Sequence, residues 1–362
     1  MKANLPYIQS LFGGFWNFEL KDFNYLVNPY FPPDRFMDAI KAELDILVRS
    51  YPSTNWYISK ICAEFLGLDE EQLVIANGAS ELISAATQRF VKNIAIPIPT
   101  FDEYINRAEI QGKTVSLFPM ADAYSLDVKL FLSHITQSGA NAALIINPNN
   151  PTGALLSKDS VVEFLQNARE LDLVILDESF IDFSSTGIGA SLQGEIGKYD
   201  NLLIIKSLSK SYGIPGLRLG YGVTGNNEFV KTLRKEMPIW NINSLAQFFL
   251  EHICEYLEEF AYSCKQTEEA TEFLYNGLCG IPYLYAYPTH GNYVMCKILH
   301  GYTSENLVSA LFEDSGTLIN DCKQKRGLDN RFVRIATRTL DENKQLLHSM
   351  DRIGSQFSIN PT

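Results

Sequence analysis

The sequence predicts an α/β protein with a mainly parallel sheet between two layers of helices and a smaller α+β domain at the C-terminal end. Three observations support this fold class. The 362 residues exceed what one hydrophobic core usually holds and suit two domains. Short, continuous apolar runs alternate with amphipathic segments, which is typical of parallel strands buried on both faces. A long helical stretch, which begins at about residue 244, leads to a second region near the C-terminal end.

The first segment of the chain, residues 1–35, is rich in aromatic and turn-forming residues. We expect it to be an arm that lies on other surfaces rather than a domain. A helix is expected to begin near Pro33 and Asp34, because apolar residues at helical spacing follow. The large domain is then predicted at residues 36–245 and the small domain at residues 246–362.

The large domain is expected to contain buried strands, each formed by a continuous apolar run. These runs are residues 73–75, 93–98, 143–146, 173–176 and 202–205. Polar residues, Gly or Pro follow each run at once. Because ligands bind beyond the carboxyl ends of strands in such sheets, we expect the functional residues in these loops.

The C-terminal part of the chain begins with a long stretch of helical pattern, residues 244–278. Residues 292–298 and 332–336 are predicted strands of the small domain. Together they indicate a compact α+β unit after the large sheet.

The acidic composition bears on possible partners. A net charge of −12 argues against a nucleic-acid partner, whose phosphates require a basic patch. No apolar run is long enough to span a bilayer and no leader pattern is visible, so we expect a cytoplasmic protein without a membrane partner. A small-molecule substrate is therefore the expected partner, and the charge does not exclude an anionic one.

The six cysteines and five histidines are scattered along the chain. They form no C-x-x-C pair, and no His lies at ligand spacing from a Cys. Reduced, mostly buried thiols are expected rather than a redox or metal site. We therefore predict no metal.

A lysine stands in an unusual setting after the predicted strand 202–205. Ser207 and Ser209 precede Lys210, and glycines and Arg218 follow it. These donors would cluster around an anion, and a lysine close to cations can serve as an amine nucleophile. A solvated lysine in a surface loop is the alternative, and it would be favoured if this motif stood alone.

Three further motifs follow other predicted strands. They are N-G-A-S-E at residues 77–81, N-P-N-N-P-T-G at residues 147–153 and D-E-S-F-I-D-F at residues 177–183. In the first, Gly78 permits close approach of the backbone, and a helix begins there. The N-terminus of a helix is a ready anion site.

The four motifs, in this order, resemble those of the fold-type I pyridoxal-phosphate superfamily, aminotransferase class I/II. The resemblance covers nearly the whole chain. It implies the cofactor pyridoxal 5'-phosphate, a three-layer major domain with a smaller C-terminal domain, and an amino acid as the substrate.

The resemblance also implies roles for individual residues. Lys210 matches the lysine that joins the cofactor as a Schiff base, and Asp177 matches the carboxylate that keeps the ring nitrogen protonated. Asn150 matches the amide that bonds the ring 3-oxygen, where it also borders the substrate. The expected phosphate-binding residues are Gly78, Ala79, Ser80, Ser207, Ser209 and Arg218.

Three more positions take their roles from the same resemblance. Phe101 matches the aromatic residue that stacks on the cofactor ring. Tyr51 matches the tyrosine that reaches the phosphate from the partner subunit, which implies a homodimer with shared active sites. Arg334 matches the arginine that clamps the substrate carboxylate. Core packing for Tyr51 and Phe101, a helix cap for Asp177 and a surface ion pair for Arg334 are the alternatives.

Two branches of the family are similar to this chain: histidinol-phosphate aminotransferase and threonine-phosphate decarboxylase. Phe180 stands where the aminotransferase usually has a tyrosine, and the resulting motif resembles that of the decarboxylase. The contacts of the decarboxylase to its substrate phosphate are nevertheless replaced by Phe12, Leu26 and Asn320. Losing charge-assisted bonds of roughly 1.5–3 kcal/mol each makes threonine phosphate a poor candidate substrate.

The sequence leaves the reaction open. Transamination breaks the Cα–H bond and decarboxylation breaks the bond to the carboxylate, and Arg334 would hold the carboxylate in either case. We favour transamination because it is the commoner reaction in this superfamily, with decarboxylation as the alternative. A non-catalytic ligand sensor is a third possibility, but such proteins carry a DNA-binding segment, for which the arm of residues 1–35 leaves no room.

Overall fold

The structure is a computed structural model that describes residues 4–121, 124–184 and 186–357. Its strands form a seven-stranded and a five-stranded sheet. The strands are β1 Lys21–Phe23, β2 Leu73–Asn77, β3 Asn93–Ile98, β4 Thr114–Pro119, β5 Ala142–Ile146, β6 Leu173–Asp177, β7 Leu202–Ser207, β8 Leu219–Val223, β9 Leu284–Ala286, β10 Tyr293–Ile298, β11 Thr317–Asp321 and β12 Phe332–Ala336.

The helices lie mostly between these strands along the chain. They are α1 Leu5–Ser10, α2 Asp34–Arg49, α3 Asn55–Leu66, α4 Ala79–Phe90, α5 Glu103–Ile110, α6 Val128–Ser138, α7 Lys158–Asn167, α8 Leu208–Ser211, α9 Asn227–Glu236, α10 Ser244–His252, α11 Leu257–Cys279, α12 Ser304–Ser315 and α13 Leu340–Phe357. Among the described helices, none has the length and apolar character that a membrane span needs.

The large sheet has the order β2-β8-β7-β6-β5-β3-β4. Every neighbouring pair is parallel except the two pairs made by β8. Both faces are covered: in β2, Leu73 and Ile75 pack into one helix-covered core, whereas Val74 and Ala76 pack into the core on the other face. This alternation explains the continuous apolar runs, and the predicted three-layer fold is confirmed.

The small sheet has the order β1-β11-β12-β10-β9 and is antiparallel except where β1 pairs with β11. Strand β1 comes from the N-terminal segment, which therefore adds an edge to a sheet formed otherwise by the end of the chain. The predicted boundaries 1–35, 36–245 and 246–362 remain a proposal, and residues 1–3 and 358–362 lie outside the described residues.

Two features differ from the sequence-based expectation. The helical stretch 244–278 is divided into α10, a 3₁₀ turn at Ile253–Tyr256 and α11. Ile253 and Tyr256 are both buried. A 3₁₀ helix has three residues per turn, so these two residues, three apart, lie on the same face and both point into the core. The apolar runs also missed five strands, β1, β4, β8, β9 and β11, of which β4 is partly exposed and β8 contains two glycines.

Candidate active site

The carboxyl ends of β5, β6 and β7 meet at one edge of the large sheet. Asp177, the last residue of β6, lies in register between Ile146 of β5 and Ile205 of β7. Lys210 follows β7 in the short helix α8. The strand order therefore brings together two motifs that the sequence placed after separate strands.

The Asp177 carboxylate is buried and hydrogen-bonded on both oxygens. Oδ1 accepts the Ser179 N–H at 2.9 Å, and Oδ2 accepts the Tyr104 hydroxyl at 2.8 Å. Burial raises the pKa of Asp177, and the bonds from Ser179 and Tyr104 act in the opposite direction. Sequence reasoning missed Tyr104, although it stands three residues after Phe101 near the start of α5.

The amine of Lys210 is also shifted from its ordinary state. Burial, followed by the nearby guanidinium groups of Arg334 and Arg218, lowers the pKa of Lys210 to about 8, and Asp177 opposes this shift. A substantial fraction of the amine is therefore neutral near pH 8, as a nitrogen nucleophile requires. The alternative of a solvated surface lysine does not fit this environment.

Asn28 fixes the backbone around Lys210. Its N–H donates to the Lys210 carbonyl at 2.8 Å, and its side-chain amide donates to the Ser211 carbonyl at 2.9 Å. The same amide donates to Ser263 on α11 at 2.8 Å, and its oxygen accepts the Thr267 hydroxyl at 3.0 Å. The N-terminal segment thus connects the lysine turn with α11, which sequence reasoning did not anticipate.

Four of the expected phosphate-binding residues, Gly78, Ala79, Ser80 and Arg218, lie together at the start of α4. A Cβ added to Gly78, which has φ +78°, would lie 2.6 Å from a guanidinium nitrogen of Arg218, so only glycine fits there. Ala79 and Ser80 form the first turn of α4, where N–H groups have no intrahelical acceptor. Ser207 and Ser209 are buried, and the Ser209 hydroxyl has no hydrogen-bond partner within the described parts of the chain.

The candidate substrate arginine lies opposite, on β12 of the small sheet. Arg334 is 8% exposed and donates to the Asn150 side-chain oxygen at 2.7 Å and to the Asn24 carbonyl at 2.9 Å. Asn24 is in turn held by Asn320 at 2.7 Å. Arg334 is not a surface ion pair, and Asn24 is a second contact that sequence patterns did not reveal.

Phe101 and Tyr51 are both exposed at the surface of the chain. The Phe101 ring is 40% exposed and stands edge-on to Tyr104, with ring centroids 6.5 Å apart. Tyr51 is 78% exposed and stacks on Trp240 at 4.3 Å. Neither is a core residue, and Tyr51 is presented outward from its own chain.

The cysteines are all free: Cys62, Cys296 and Cys322 are buried, Cys264 is partly buried, and Cys254 and Cys279 are exposed. Within the described ranges, no group of three or more His, Cys, Asp or Glu side chains could hold a metal ion.

A partly buried lysine and a buried carboxylate at the carboxyl edge of this sheet, with a glycine and a helix N-terminus beside Arg218 and an arginine from a second sheet, are the features of a fold-type I pyridoxal-phosphate enzyme. The chain belongs to the aminotransferase class I and II family, whose profile matches residues 28–350. The predicted resemblance is confirmed. The cofactor of this family is pyridoxal 5'-phosphate, as the sequence predicted.

Comparisons with known proteins give relatives of differing activity. The chain is 32% identical over 349 residues to CMP-5'-(3-aminopropyl)phosphonate synthase of Streptomyces rubellomurinus, covering 96% of this chain but only 55% of that protein. It is 30% identical over 339 residues to an L-serine phosphate decarboxylase of Campylobacter jejuni, covering 90% of this chain and 86% of the relative.

A solved structure is similar over almost its whole length. It is the histidinol-phosphate aminotransferase from Clostridium acetobutylicum, 28% identical, with a TM-score of 0.86. The match covers 93% of this chain and 100% of that one. These relatives share the family and the fold, but they differ in the reaction that their names give.

The described residues fit the cofactor. The unpartnered Ser209 hydroxyl, the Gly78–Arg218 contact and the first turn of α4 together offer donors for a phosphate ester. The buried Asp177 carboxylate suits a protonated ring nitrogen, and the Lys210 amine suits an aldehyde. These donors, the carboxylate and the amine are all groups of this chain that match the chemistry of pyridoxal phosphate.

Proposed function

We propose that this chain is a pyridoxal-phosphate enzyme that breaks a bond at the Cα atom of an amino acid. One observation carries the proposal: Lys210, with a pKa of about 8, lies in the same buried site as Asp177 and Arg334, both of which act on it electrostatically. A nucleophilic amine, an anion for a ring nitrogen and a clamp for a carboxylate are the groups that this chemistry requires.

Each group has a defined role in this proposal. Lys210 would hold the aldehyde carbon, Asp177 the ring nitrogen and Asn150 the ring 3-oxygen. Ser207, Ser209, Arg218 and the first turn of α4 would hold the phosphate. When bound, the cofactor supplies an electron sink for the pair left on Cα.

The chain's own residues then bind the substrate and move protons. Arg334 binds the substrate carboxylate through two parallel hydrogen bonds, and its present bond to Asn150 yields to that contact. Lys210 would be the group that moves a proton at Cα, because its amine can take up the proton that the substrate ammonium group loses on binding. In decarboxylation, the bond from Cα to the carboxylate would break, carbon dioxide would leave, and the Lys210 ammonium group would donate its proton to Cα.

We propose decarboxylation as the reaction. The sequence favours transamination only because that reaction is the commoner one in the superfamily. Two observations support the other reaction: Phe180 replaces the usual tyrosine and packs against Tyr293 with ring centroids 5.1 Å apart, and a relative 30% identical to this chain is named an L-serine phosphate decarboxylase. Transamination is the second candidate, because a histidinol-phosphate aminotransferase has the same fold over nearly its full length.

The test is incubation of the cofactor-loaded enzyme with a panel of amino acids and phosphoamino acids, with separate assays for carbon dioxide and for the keto acid. Carbon dioxide with its amine product, in amounts equal to the substrate consumed, is expected. A stoichiometric keto acid without carbon dioxide would favour transamination instead. Lys210→Ala is the control, because it keeps the phosphate-binding residues but should form neither product.

We also propose a homodimer with shared sites, working in the cytoplasm. The outward-facing Tyr51 supports the first point, since a residue of the sequence-predicted site that points away from its own chain can serve a second copy. All six cysteines are free, which suits a reducing compartment and supports the second point.

A further inference from the structure

The loop that follows β11 in the small domain contacts the large domain beside Phe101. The ammonium group of Lys325 bonds the Asp102 carboxylate at 2.5 Å and lies 3.4 Å from the Thr100 carbonyl. Lys325 thus contacts the residues on either side of Phe101. These contacts restrain the backbone that carries the Phe101 ring.

Two neighbours of Lys325 extend this contact between the domains. Arg326 pairs with Glu109 at 2.7 Å, near the end of α5. A Cβ added to Gly327 would lie 3.2 Å from the Pro99 nitrogen, so the two backbones pass close together. The loop of residues 325–327 therefore follows the segment 99–109 from one domain to the other.

The large domain holds the same segment from within. The Asn149 side chain donates to the Pro99 carbonyl at 3.0 Å and is itself buried. Pro99 is thus fixed by the loop that contains Asn150, whereas Phe101 is bracketed by the small domain. The segment that carries Phe101 is therefore held by a contact between the domains as well as by the start of α5, where the Tyr104 N–H donates to the Phe101 carbonyl at 3.4 Å.

The two ion pairs differ in expected strength. The Lys325 and Asp102 side chains are 13% and 37% exposed, whereas those of Arg326 and Glu109 are 41% and 45% exposed. Exposed pairs are screened by solvent and contribute little, while partly buried pairs are screened less. Lys325–Asp102 is therefore the pair that should restrain the segment.

We propose that Lys325 is a positioning residue that holds Phe101 in the wall of the active site through Asp102 and Thr100. The proposal rests on the proposed function and on the sequence-based expectation that the Phe101 ring stacks on the cofactor. Lys325 would contact neither the cofactor nor the substrate directly. It acts by limiting the motion of the segment that carries Phe101.

The experiment compares Lys325→Met with Lys325→Arg and with Arg352→Met. Arg352→Met is the matched control, because it removes another 2.5 Å ion pair, with Asp314, that lies wholly within the small domain. Hydrogen exchange of residues 99–110 is measured in the cofactor-free proteins, followed by the dissociation constant of pyridoxal phosphate and by kcat and KM.

Lys325→Met should speed exchange in residues 99–110 and weaken cofactor binding about 5-fold, a typical loss for one partly buried ion pair. Lys325→Arg should restore both quantities to near the wild-type values, and Arg352→Met should change neither. Unchanged exchange in Lys325→Met would overturn the proposal, and so would faster exchange without weaker cofactor binding. If Lys325→Met does not fold, Asp102→Asn removes the same pair from the other side.

Failure of the proposed function would look different. A wild-type enzyme that turned over no amino acid, or that bound no pyridoxal phosphate, would contradict the function. The exchange rates of residues 99–110, measured without cofactor, would still report whether Lys325 restrains that segment.

Discussion

The hydroxyl of Tyr104 donates a 2.8 Å hydrogen bond to the Asp177 carboxylate, although 73 residues separate the two along the chain. Both side chains are almost fully buried. The bond favours the charged form of a carboxylate whose burial raises its pKa. Tyr104 therefore helps to keep Asp177 anionic where a protonated ring nitrogen would need it.

Replacing Tyr104 by Phe should consequently raise the pKa of Asp177 and weaken the electron sink. We expect kcat to fall about 10-fold, as loss of one hydrogen bond to a charged group predicts. The acidic limb of the pH–kcat profile should move to higher pH. Tyr221→Phe is the control, since its buried hydroxyl bonds only Gln193, at 3.0 Å, among the described residues. Equal profiles for both variants would refute a specific role of Tyr104.

The pKa of Lys210, about 8, predicts how the cofactor-free protein takes up pyridoxal phosphate. Only the neutral amine attacks an aldehyde, so the uptake rate should rise with pH and level off above about 8. Because Asp177 raises this pKa and Arg334 lowers it, Asp177→Asn should shift the midpoint to lower pH and Arg334→Met to higher pH. Stopped-flow absorbance measures the midpoint, and shifts of the reverse sign would contradict the assignment.

Asn28 should transmit changes on α11 to the lysine turn. Thr267→Val removes the hydroxyl that bonds the Asn28 side chain and should cost about 1–2 kcal/mol of unfolding free energy. It should also slow cofactor uptake, because the Asn28 amide that holds Ser211 is less well oriented. Thr271→Val, one turn along α11, removes comparable bonds to Thr267 and Thr337 and serves as the control. Urea unfolding measures the loss of stability, and stopped-flow kinetics measures the rate of cofactor uptake. Equal uptake rates in Thr267→Val and Thr271→Val would show that Asn28 does not couple α11 to the turn that carries Lys210.

Tyr51→Phe tests the shared site. The variant keeps the stack on Trp240 but loses the hydroxyl, so cofactor affinity should fall by about 0.5–1.5 kcal/mol, equivalent to one hydrogen bond. Sedimentation should show a dimer for both proteins. A monomer that remains fully active at nanomolar concentration would be inconsistent with a tyrosine that crosses between subunits.

A cavity lined by Asn24, whose carbonyl accepts a hydrogen bond from Arg334, predicts substrate selectivity. Its volume is about 720 Å³, and its lining includes Phe12, Asn320 and three carboxylates. Lys323 also lines the cavity, and its ammonium group forms an ion pair with the Glu305 carboxylate at 2.7 Å. An added phosphate should be disfavoured here, so serine should be used at least about 10-fold better than phosphoserine in kcat/KM.

Asn320→Arg should reduce the preference for serine over phosphoserine, because it adds a cation beside the same cavity. Efficient use of phosphoserine or threonine phosphate by the unaltered enzyme would show that similarity to the decarboxylases outweighs the charges of this cavity. Initial rates with each pair of substrates at equal ionic strength distinguish these outcomes.

The sequence was sufficient wherever function depends on a short segment after a strand. Lys210, Asp177, Asn150 and Gly78 could be proposed as site residues because each lies in a motif whose residues also determine the local turn. The strands that carry them could be predicted because burial on both faces leaves a continuous apolar run. Strands β1, β4, β8, β9 and β11 were missed because their pairing partners, rather than their composition, make them strands.

The tertiary structure alone determined which residues support those motifs. Tyr104 on Asp177, Asn28 on Ser211 and Asn24 on Arg334 join residues that are 73, 183 and 310 positions apart. No local periodicity encodes such pairs, because a hydrogen bond depends on the distance between two atoms in the folded chain and not on the pattern around either residue. The sequence thus indicated the groups that we propose to react, and the packing of the two sheets determined how those groups are held and charged.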